Sequence, residues 1–370
     1  MKAAVLFEVR TPLEICDVTI DKPASREVLV RVAASGLCHS DYHFINGDLS
    51  TPLPVIQGHE VAGIVEAVGS EVSAIQVGDH VVSCALRFCG HCNPCVSGKT
   101  HICADKPGRA AGEPARITLN GRRIYQDAGE LGGFAEQILV HENAIVKIDR
   151  AMPLDRAALL GCGVLTGVGA VFNAAKVKVG SKVVVIGCGG VGLNVVQAAK
   201  IAGASQIIAV DTAAEKRELA RSFGATDAVE GGRDAIEQVR ALTGGGADFG
   251  FEVIGLPQTI ADGVRMLAPS GLMTIVGATP ANATIPLPGI EMLFNEWRVQ
   301  GTFFGGSAFT RDVPRIVSMY LQGSINLDGL IAERIGLVDV NAGFERMLGG
   351  KQARSIITFD DVLNHATATA

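Results

Sequence analysis

The sequence predicts an α/β protein in two parts: a doubly wound parallel sheet, and a second, mostly-β domain of irregular barrel type. Three observations predict it. Short, Val-rich, glycine-punctuated segments run from Met1 to about Ile148. Strand and helix patterns then alternate from about Val164 to Gly301. The turn GCGGVG joins the first strand of that alternation to its first helix. Parallel strands need crossover helices, so strict alternation of the two patterns calls for a parallel sheet with helices on its faces.

In chain order, EVLVRVAASG, VAGIVEAVG and DHVVSCA are short β segments ending in turns. The stretch from Ala104 to Gly133 has little periodicity and many Gly, Pro and Arg residues, which predicts a long loop. PLDRAALLGCGVLTGVGAVFNAAK is apolar, Ala-rich and helical in spacing, a link between domains. The strand KVVVIG leads to the helix GGVGLNVVQAAKIAG. The strand QIIAVD follows, then the helices AAEKRELARSFGA and DAIEQVRALT. The strand ADFGFEVIG, the helix TIADGVRMLA and the strand GLMTIVG complete the set. Beyond Gly301 one helix, VPRIVSMYLQG, and short strands do not continue the alternation. The predicted domains are therefore 1–163 with 302–370, and 164–301. The tail ATATA is expected to fray.

The 370 residues suffice for about two domains, and 48% hydrophobic with 19% charged residues is an ordinary globular composition. The net charge is −6 with no basic block, so nucleic acid is not an expected partner. No stretch approaches a transmembrane span. MKAAVLFEVR lacks the apolar run of a signal peptide, and nine cysteines make an odd count. Together these point to a reducing, cytoplasmic setting without a disulfide framework.

Cys89, Cys92, Cys95 and Cys103 have the spacing Cys-x2-Cys-x2-Cys-x7-Cys. Four soft thiolates in one loop of the lobe at 84–103 can close around a single zinc ion. Cys16, Cys84 and Cys188 read as inert core thiols. In GCGGVG, Gly187, Gly189, Gly190, Val191 and Gly192 follow a strand and open a helix, and Asp211 ends the next strand about twenty residues on. This is a Rossmann-type dinucleotide fingerprint: the glycines allow close approach of backbone to pyrophosphate, and the helix N-terminus offers free N–H groups. A carboxylate at Asp211 bonds the ribose hydroxyls and repels a 2′-phosphate, favouring NAD over NADP. Lys216 reads either as a neighbour of the adenosine ribose or as a solvated helix lysine.

Cys38, His59 and Cys162 are too far apart for spacing to join them. A resemblance does. GLCHSDYH, TPLPVIQGHEVAGIVEAVG, VGDHV, CGHCNPC, GCGVLTG, GCGGVG and KQARSIITF occur in the order seen in the zinc-containing alcohol dehydrogenases of the medium-chain dehydrogenase/reductase family. The resemblance covers almost the whole chain, including the structural zinc lobe of the long form. It implies a GroES-like catalytic domain beside the Rossmann domain. Two zinc ions per chain follow, with Cys38, His59 and Cys162 holding the catalytic one and leaving a position open. Oxidation of an alcohol with hydride transfer to NAD is the implied reaction. Asp41 would orient His59, and Glu60 would lie behind the metal. Ser40 would take the substrate proton and pass it through the cofactor ribose to His43. Thr166 would line the nicotinamide end and Arg354 contact the pyrophosphate. His39 stands where many relatives have an arginine, which implies weaker NADH binding.

Leu49, Ala85, Ala128, Phe303 and Phe304 fall at substrate-pocket positions. Alanines where relatives are commonly aromatic predict bulky branched, cyclic or aromatic primary alcohols. The charged residues with which the glutathione-dependent formaldehyde class captures its substrate are replaced by Pro107, Gly47 and Leu49, with Arg109 near enough to compensate if the loop shifts. The alternatives are that thiol-dependent enzyme and a zinc-stabilised binding protein on the same fold. A zinc-free quinone reductase is disfavoured, because all ligand positions are filled. The resemblance also implies a homodimer through the coenzyme domain, with LMTIVGATPANATIPLP as a candidate sheet edge.

Overall fold

The computed structural model describes residues 1–109, 112–127, 129–349 and 354–368. It forms two compact units: Met1–Cys162 with Ala308–Gly323 and Leu327–Ala370, and Gly163–Ser307 with Ser324–Asn326. The first junction lies inside the predicted linking segment. The second lies six residues later than the sequence suggested. Thr302 N–H donates to the Ile275 carbonyl (3.0 Å) and Ser307 Oγ donates to the Leu165 carbonyl (3.3 Å), so this stretch stays with the parallel sheet. Asn326 returns to the same unit by donating its N–H to Gln197 Oε1 (2.8 Å).

The first unit is built on the strand Glu27–Gly36, which pairs antiparallel with Glu60–Val68, Gln137–His141 and Arg354–Thr358. Glu60–Val68 in turn pairs with His80–Ser83, and that strand with Ile145–Lys147. Val28, Val30 and Val32 alternate inward onto Val61, Val65, Val81, Ile138 and Val140, the period-2 pattern of a strand with one wet face. Past Val32 the strand is buried on both faces, and there its residues are small: Ala33, Ala34, Ser35 and Gly36. A second core joins Leu6, Leu37, Ile56, Phe134 and Phe344.

The stretch predicted as a loop contains a hairpin, Ile117–Leu119 with Arg122–Arg123, and the strand Tyr125–Gln126. The hairpin turns on Asn120 (φ 50°) and Gly121 (φ 79°), a pair that readily takes the positive φ values with which a two-residue turn matches the right-handed twist of its strands. At the other end the helix Asp360–Ala368 runs through most of the tail expected to fray.

The second unit is a six-stranded, all-parallel sheet. Its spatial order is Asp227–Glu230, Gln206–Asp211, Lys182–Ile186, Ala247–Glu252, Leu267–Ile275, Arg298–Gly301. Counted along the chain this is 3-2-1-4-5-6, and the order reverses beside Lys182–Ile186, where doubly wound sheets bind ligands. The sequence reading missed the strands Asp227–Glu230 and Arg298–Gly301 and the helix Gly289–Asn295. LMTIVG, expected at the sheet edge, belongs to the interior strand Leu267–Ile275; the edge is Arg298–Gly301. Among the described residues no single helix is long and apolar enough to cross a membrane.

Candidate active site

The register of the first unit's sheet assembles the site. Gly36 pairs with Glu60, so Cys38, just past the end of one strand, meets His59, just before the start of the other. The strand Arg354–Thr358 runs antiparallel with Ile356 opposite Gly36, which brings Arg354 to the same end. Cys162 arrives from the short helical turn Leu159–Gly161. A Cβ on Gly161 would lie 2.3 Å from the Ser83 carbonyl and 3.5 Å from that of His59, so only glycine permits this approach.

Cys38, His59, Glu60 and Cys162 each present one ligand atom, all within 4.8 Å of one another. Three thiolate or imidazole donors with a carboxylate beside them suit zinc, and their mutual distances are those of one ion's coordination sphere. Asp41 is fully buried and shapes the set. Its Oδ1 accepts from His59 Nδ1 (2.8 Å) and from Gly58 N–H (3.2 Å), and its Oδ2 accepts from Cys38 N–H (3.1 Å). That pairing fixes Nδ1 as the donor and leaves Nε2 of His59 for a metal. Ser40 Oγ lies 3.7 Å from Cys38 Sγ. His43, half-exposed, pairs through Nδ1 with Asp48 Oδ2 at 2.9 Å, a partner that sequence reasoning missed.

The Cys162 thiol donates to Cys38 and, with positive charge from Arg354 and His59, holds Cys38 well below the ordinary thiol range against the cost of burial. Cys162 is pushed well up by the same hydrogen bond and by burial. Burial disfavours charge on His59, yet Asp41 and Cys162 outweigh it and hold the imidazole well above its usual value. Burial raises Glu60 to about 7 even though Arg354 pairs with it. The sequence reading placed Arg354 at the pyrophosphate; the structure buries its guanidinium against Glu60. Asp127, which the sequence reading did not single out, is buried near Asp41 and His59, and burial with the Asp41 charge raises it to about 7. An Asp-x2-Glu pair among glycines and apolar residues is too weak a signal to find it.

The four clustered cysteines also converge, with Sγ to Sγ distances of 3.9 Å for Cys89–Cys95 and 3.8 Å for Cys92–Cys103. Zinc–sulfur bonds of about 2.3 Å in a tetrahedron require sulfurs about 3.8 Å apart, whereas a disulfide would bring two of them to about 2.05 Å. Backbone N–H groups point at the sulfurs: those of His91 and Cys92 to Cys89 (3.5 and 3.3 Å), and that of Cys89 to Cys103 (3.3 Å). N–H groups of Cys95 and Ala104 hold Cys92 down at about 6. Cys84 and Cys188, read as inert, are buried and pushed up to about 12 by desolvation; Cys16 is raised by the same cause.

In the second unit the strand Lys182–Ile186 turns at Gly187 (φ 96°) into the helix Gly190–Ile201. A Cβ on Gly192 would lie 1.9 Å from the Gly187 carbonyl, whereas one on Gly189 would meet nothing within 4 Å. The first glycine therefore serves packing, and the second leaves open room for a pyrophosphate at the helix N-terminus. Asp211 lies against this turn: Oδ2 accepts from Cys188 N–H (2.8 Å) and Oδ1 from Ala213 N–H (2.9 Å). Val191, Lys216 and Thr166 are each half-buried, Thr166 on the helix Gly163–Gly169. Arg217 donates to the Asp211 and Thr212 carbonyls and steadies the same strand end.

The predicted substrate residues divide between the units. Leu49 is exposed and Ala85 half-buried in the first; in the second, Phe303 is half-exposed and stacks edge-on with Phe304, ring centroids 4.9 Å apart. Gly129 packs onto Ala85, its own missing side chain 2.6 Å from the Ala85 Cα. Ala128 lies outside the described residues. Arg109 is not available for substrate: it donates to Glu27 Oε1, Gln126 Oε1 and the Leu139 carbonyl. His39 is exposed at the start of the helix His39–Ile45.

Two thiols, an imidazole and a carboxylate within one ion's reach, a separate cluster of four sulfurs and a dinucleotide turn are the features of a zinc-dependent dehydrogenase. Residues 24–150 match the alcohol dehydrogenase GroES-like domain family and residues 190–321 the zinc-binding dehydrogenase family. The chain belongs to the zinc-containing alcohol dehydrogenases of the medium-chain family and is an enzyme that oxidises alcohols. It is 38% identical over 363 residues to an NDMA-dependent alcohol dehydrogenase of Amycolatopsis methanolica, covering 96% of this chain and 98% of that one. An alcohol dehydrogenase zinc-binding domain protein from Burkholderia ambifaria has a similar structure (TM-score 0.93, 34% identity, 97% and 98% of the two chains). So does benzyl alcohol dehydrogenase from Acinetobacter calcoaceticus (TM-score 0.90, 33% identity, 97% and 99%).

Proposed function

We propose that the enzyme oxidises bulky branched, cyclic or aromatic primary alcohols to aldehydes, reversibly, with NAD as hydride acceptor. The observation that carries this reading is the small side chain of Ala85. It lies two residues past Ser83, whose carbonyl lies against Gly161 beside the ligand Cys162, so a methyl group stands there where a larger side chain would add bulk on the ligand side. Leu49 and Phe303 offer exposed apolar surface. The benzyl alcohol dehydrogenase likeness supports the aromatic class. With Arg109 engaged by Glu27 and Gln126, a glutathione carboxylate lacks the compensating partner that the thiol-dependent alternative would need.

Cys38, His59 and Cys162 would hold the catalytic zinc, and Cys89, Cys92, Cys95 and Cys103 the structural one. A zinc ion held there would make a bound alcohol hydroxyl more acidic, and a bound NAD would supply the hydride acceptor. Ser40 accepts the substrate proton at Oγ. His43, half-exposed and oriented by Asp48, delivers it to solvent. Asp211 selects NAD over NADP. His39 holds the dinucleotide less firmly than an arginine would, so His39→Arg slows NADH dissociation; an unchanged rate removes that part of the reading.

We place the protein in the cytoplasm, a setting consistent with nine unpaired cysteines. A homodimer forms through the second unit, where Ile290, Leu293 and Phe294 of the helix Gly289–Asn295 are exposed in the stretch just before the edge strand Arg298–Gly301. A second reading, favoured by the 38% identity to the Amycolatopsis protein, is that turnover depends on NDMA.

One assay series tests these readings: kcat/KM for ethanol, benzyl alcohol and a branched terpene alcohol, each with NAD alone, with added NDMA, with glutathione and with a chelator. A higher kcat/KM for ethanol than for both bulky alcohols overturns the substrate class. A rate that appears only with glutathione selects the thiol-dependent enzyme, and one that appears only with NDMA selects the second reading.

A further inference from the structure

We propose that Asp127 is a positioning residue for the catalytic metal, coupling the segment Gly129–Gly133 to zinc through His59. The proposal rests on the catalytic-zinc reading above.

The strand Tyr125–Gln126 runs parallel to Val55–Ile56, and Asp127 N–H donates to the Ile56 carbonyl (3.1 Å). That register sets Asp127 beside Gly58 and His59. The turn that follows is laced to the same segment: Gly133 N–H donates to the Gly58 carbonyl (2.6 Å) and Phe134 N–H to that of Gln57 (2.8 Å). Gly132 N–H donates to Asp127 Oδ1 (3.0 Å), which fixes the carboxyl group in place. Its Oδ2 is buried with no hydrogen-bond partner among the described residues, and the side chain is 5% exposed. The carboxyl lies within 4.8 Å of both the Asp41 carboxyl and a ring nitrogen of His59.

Lost hydration and a like charge nearby both disfavour a second acid in this position. The Gly132 N–H offsets part of this, and the charged group within reach that offsets the rest is the His59 imidazole. Asp41 already occupies Nδ1 and fixes the tautomer, so Asp127 adds no bond to the ring. Its contribution is charge. A ring that carries a dication on Nε2 presents a more positive N–H side, and at these separations in a buried site the attraction for a second acid grows. Asp127 thereby strengthens the hold on zinc. By reciprocity, zinc would strengthen the hold on the segment Gly129–Gly133, whose Gly129 packs on the proposed substrate residue Ala85.

The test uses the purified holoenzyme and the variants Asp127→Asn and Asp127→Ala. Zinc release to a chromogenic chelator is followed for each, and backbone amide exchange at Gly132 and Gly133 is measured with the catalytic zinc present and removed. Both variants are expected to release the catalytic zinc roughly 10-fold faster, the scale found for groups that support metal ligands, with the four-cysteine zinc unchanged. In the wild type, removing zinc accelerates exchange at Gly132 and Gly133; in Asp127→Asn it does so much less. Asn keeps the shape and the acceptor for Gly132, so it decides the question if Asp127→Ala does not fold. An Asp127→Asn enzyme that releases zinc at the wild-type rate overturns the proposal alone. A wild-type chain that binds only one zinc overturns the catalytic-zinc reading, and the proposal with it.

Discussion

Replacing Gly161 with alanine tests how the sheet register builds the catalytic site. The added Cβ would sit 2.3 Å from the Ser83 carbonyl, whereas ordinary contact begins at 3.4 Å, so the two must part by about 1 Å. Ser83 cannot easily yield: it pairs with Ile145, and Cys84 N–H donates to the Ala144 carbonyl (2.8 Å). The displacement therefore falls on Gly161 and the adjacent Cys162. Metal–ligand distances tolerate about 0.2 Å, so the sulfur moves several times beyond what the ion accepts. The expected enzyme retains the four-cysteine zinc and its dinucleotide affinity, loses the catalytic zinc, and falls about 100-fold or more in kcat/KM. Elemental analysis gives zinc per chain, NADH fluorescence gives the dissociation constant, and steady-state kinetics give the rate. A Gly161→Ala enzyme with two zincs and wild-type kcat/KM would refute the register argument.

Three further substitutions probe other parts of the molecule. Cys95→Ser removes one corner of the four-sulfur site; one zinc per chain and a lowered thermal midpoint are expected, with the remaining zinc the one that supports activity. Asp211→Ser removes the charged acceptor proposed for the ribose hydroxyls of NAD, as well as the acceptors of the Cys188 and Ala213 N–H groups. At about 1.5–3 kcal/mol for a charged hydrogen bond, kcat/KM for NAD should fall roughly 10- to 100-fold while the NADP to NAD ratio rises; an unchanged ratio counts against Asp211 as the selector. Asp155 is buried and accepts from Arg156 and Arg334, which hold its carboxyl low against the opposing effect of burial. Since both arginines are partly exposed, Asp155→Asn should cost about 1–3 kcal/mol. A depressed carboxyl contributes fully above the ordinary range near pH 4 and loses its contribution as pH falls through its folded value. The gap in thermal midpoint between wild type and variant should be level from about pH 7 to 5 and shrink below about 4; a gap that widens in acid contradicts the assignment.

Local signals in the chain were sufficient where interactions are short in sequence. The four-cysteine loop closes on itself within fifteen residues, and the glycine turn lies between a strand and helix that are contiguous with it, so spacing alone located both. The alternating segments of the second unit were legible because each strand is a run of buried apolar residues. Asp227–Glu230 was not, since DAVE carries two acids in four residues and is a strand only because Gln206–Asp211 pairs with it. The hairpin at Asn120-Gly121 did carry a local signal, the Asn-Gly pair, which the surrounding Gly, Pro and Arg residues obscured.

The sequence by itself determined the two domain types, the four-cysteine loop and the glycine turn, because each is dictated by neighbours along the chain. Only the tertiary structure decided that Cys38, His59 and Cys162 meet, that Arg354 is bound to Glu60, and that Arg109 is tied to Glu27 rather than left for a substrate. It alone revealed the buried acid Asp127 behind His59. These contacts join residues tens to hundreds of positions apart, and strand register, which no single segment encodes, sets which of them come within bonding distance.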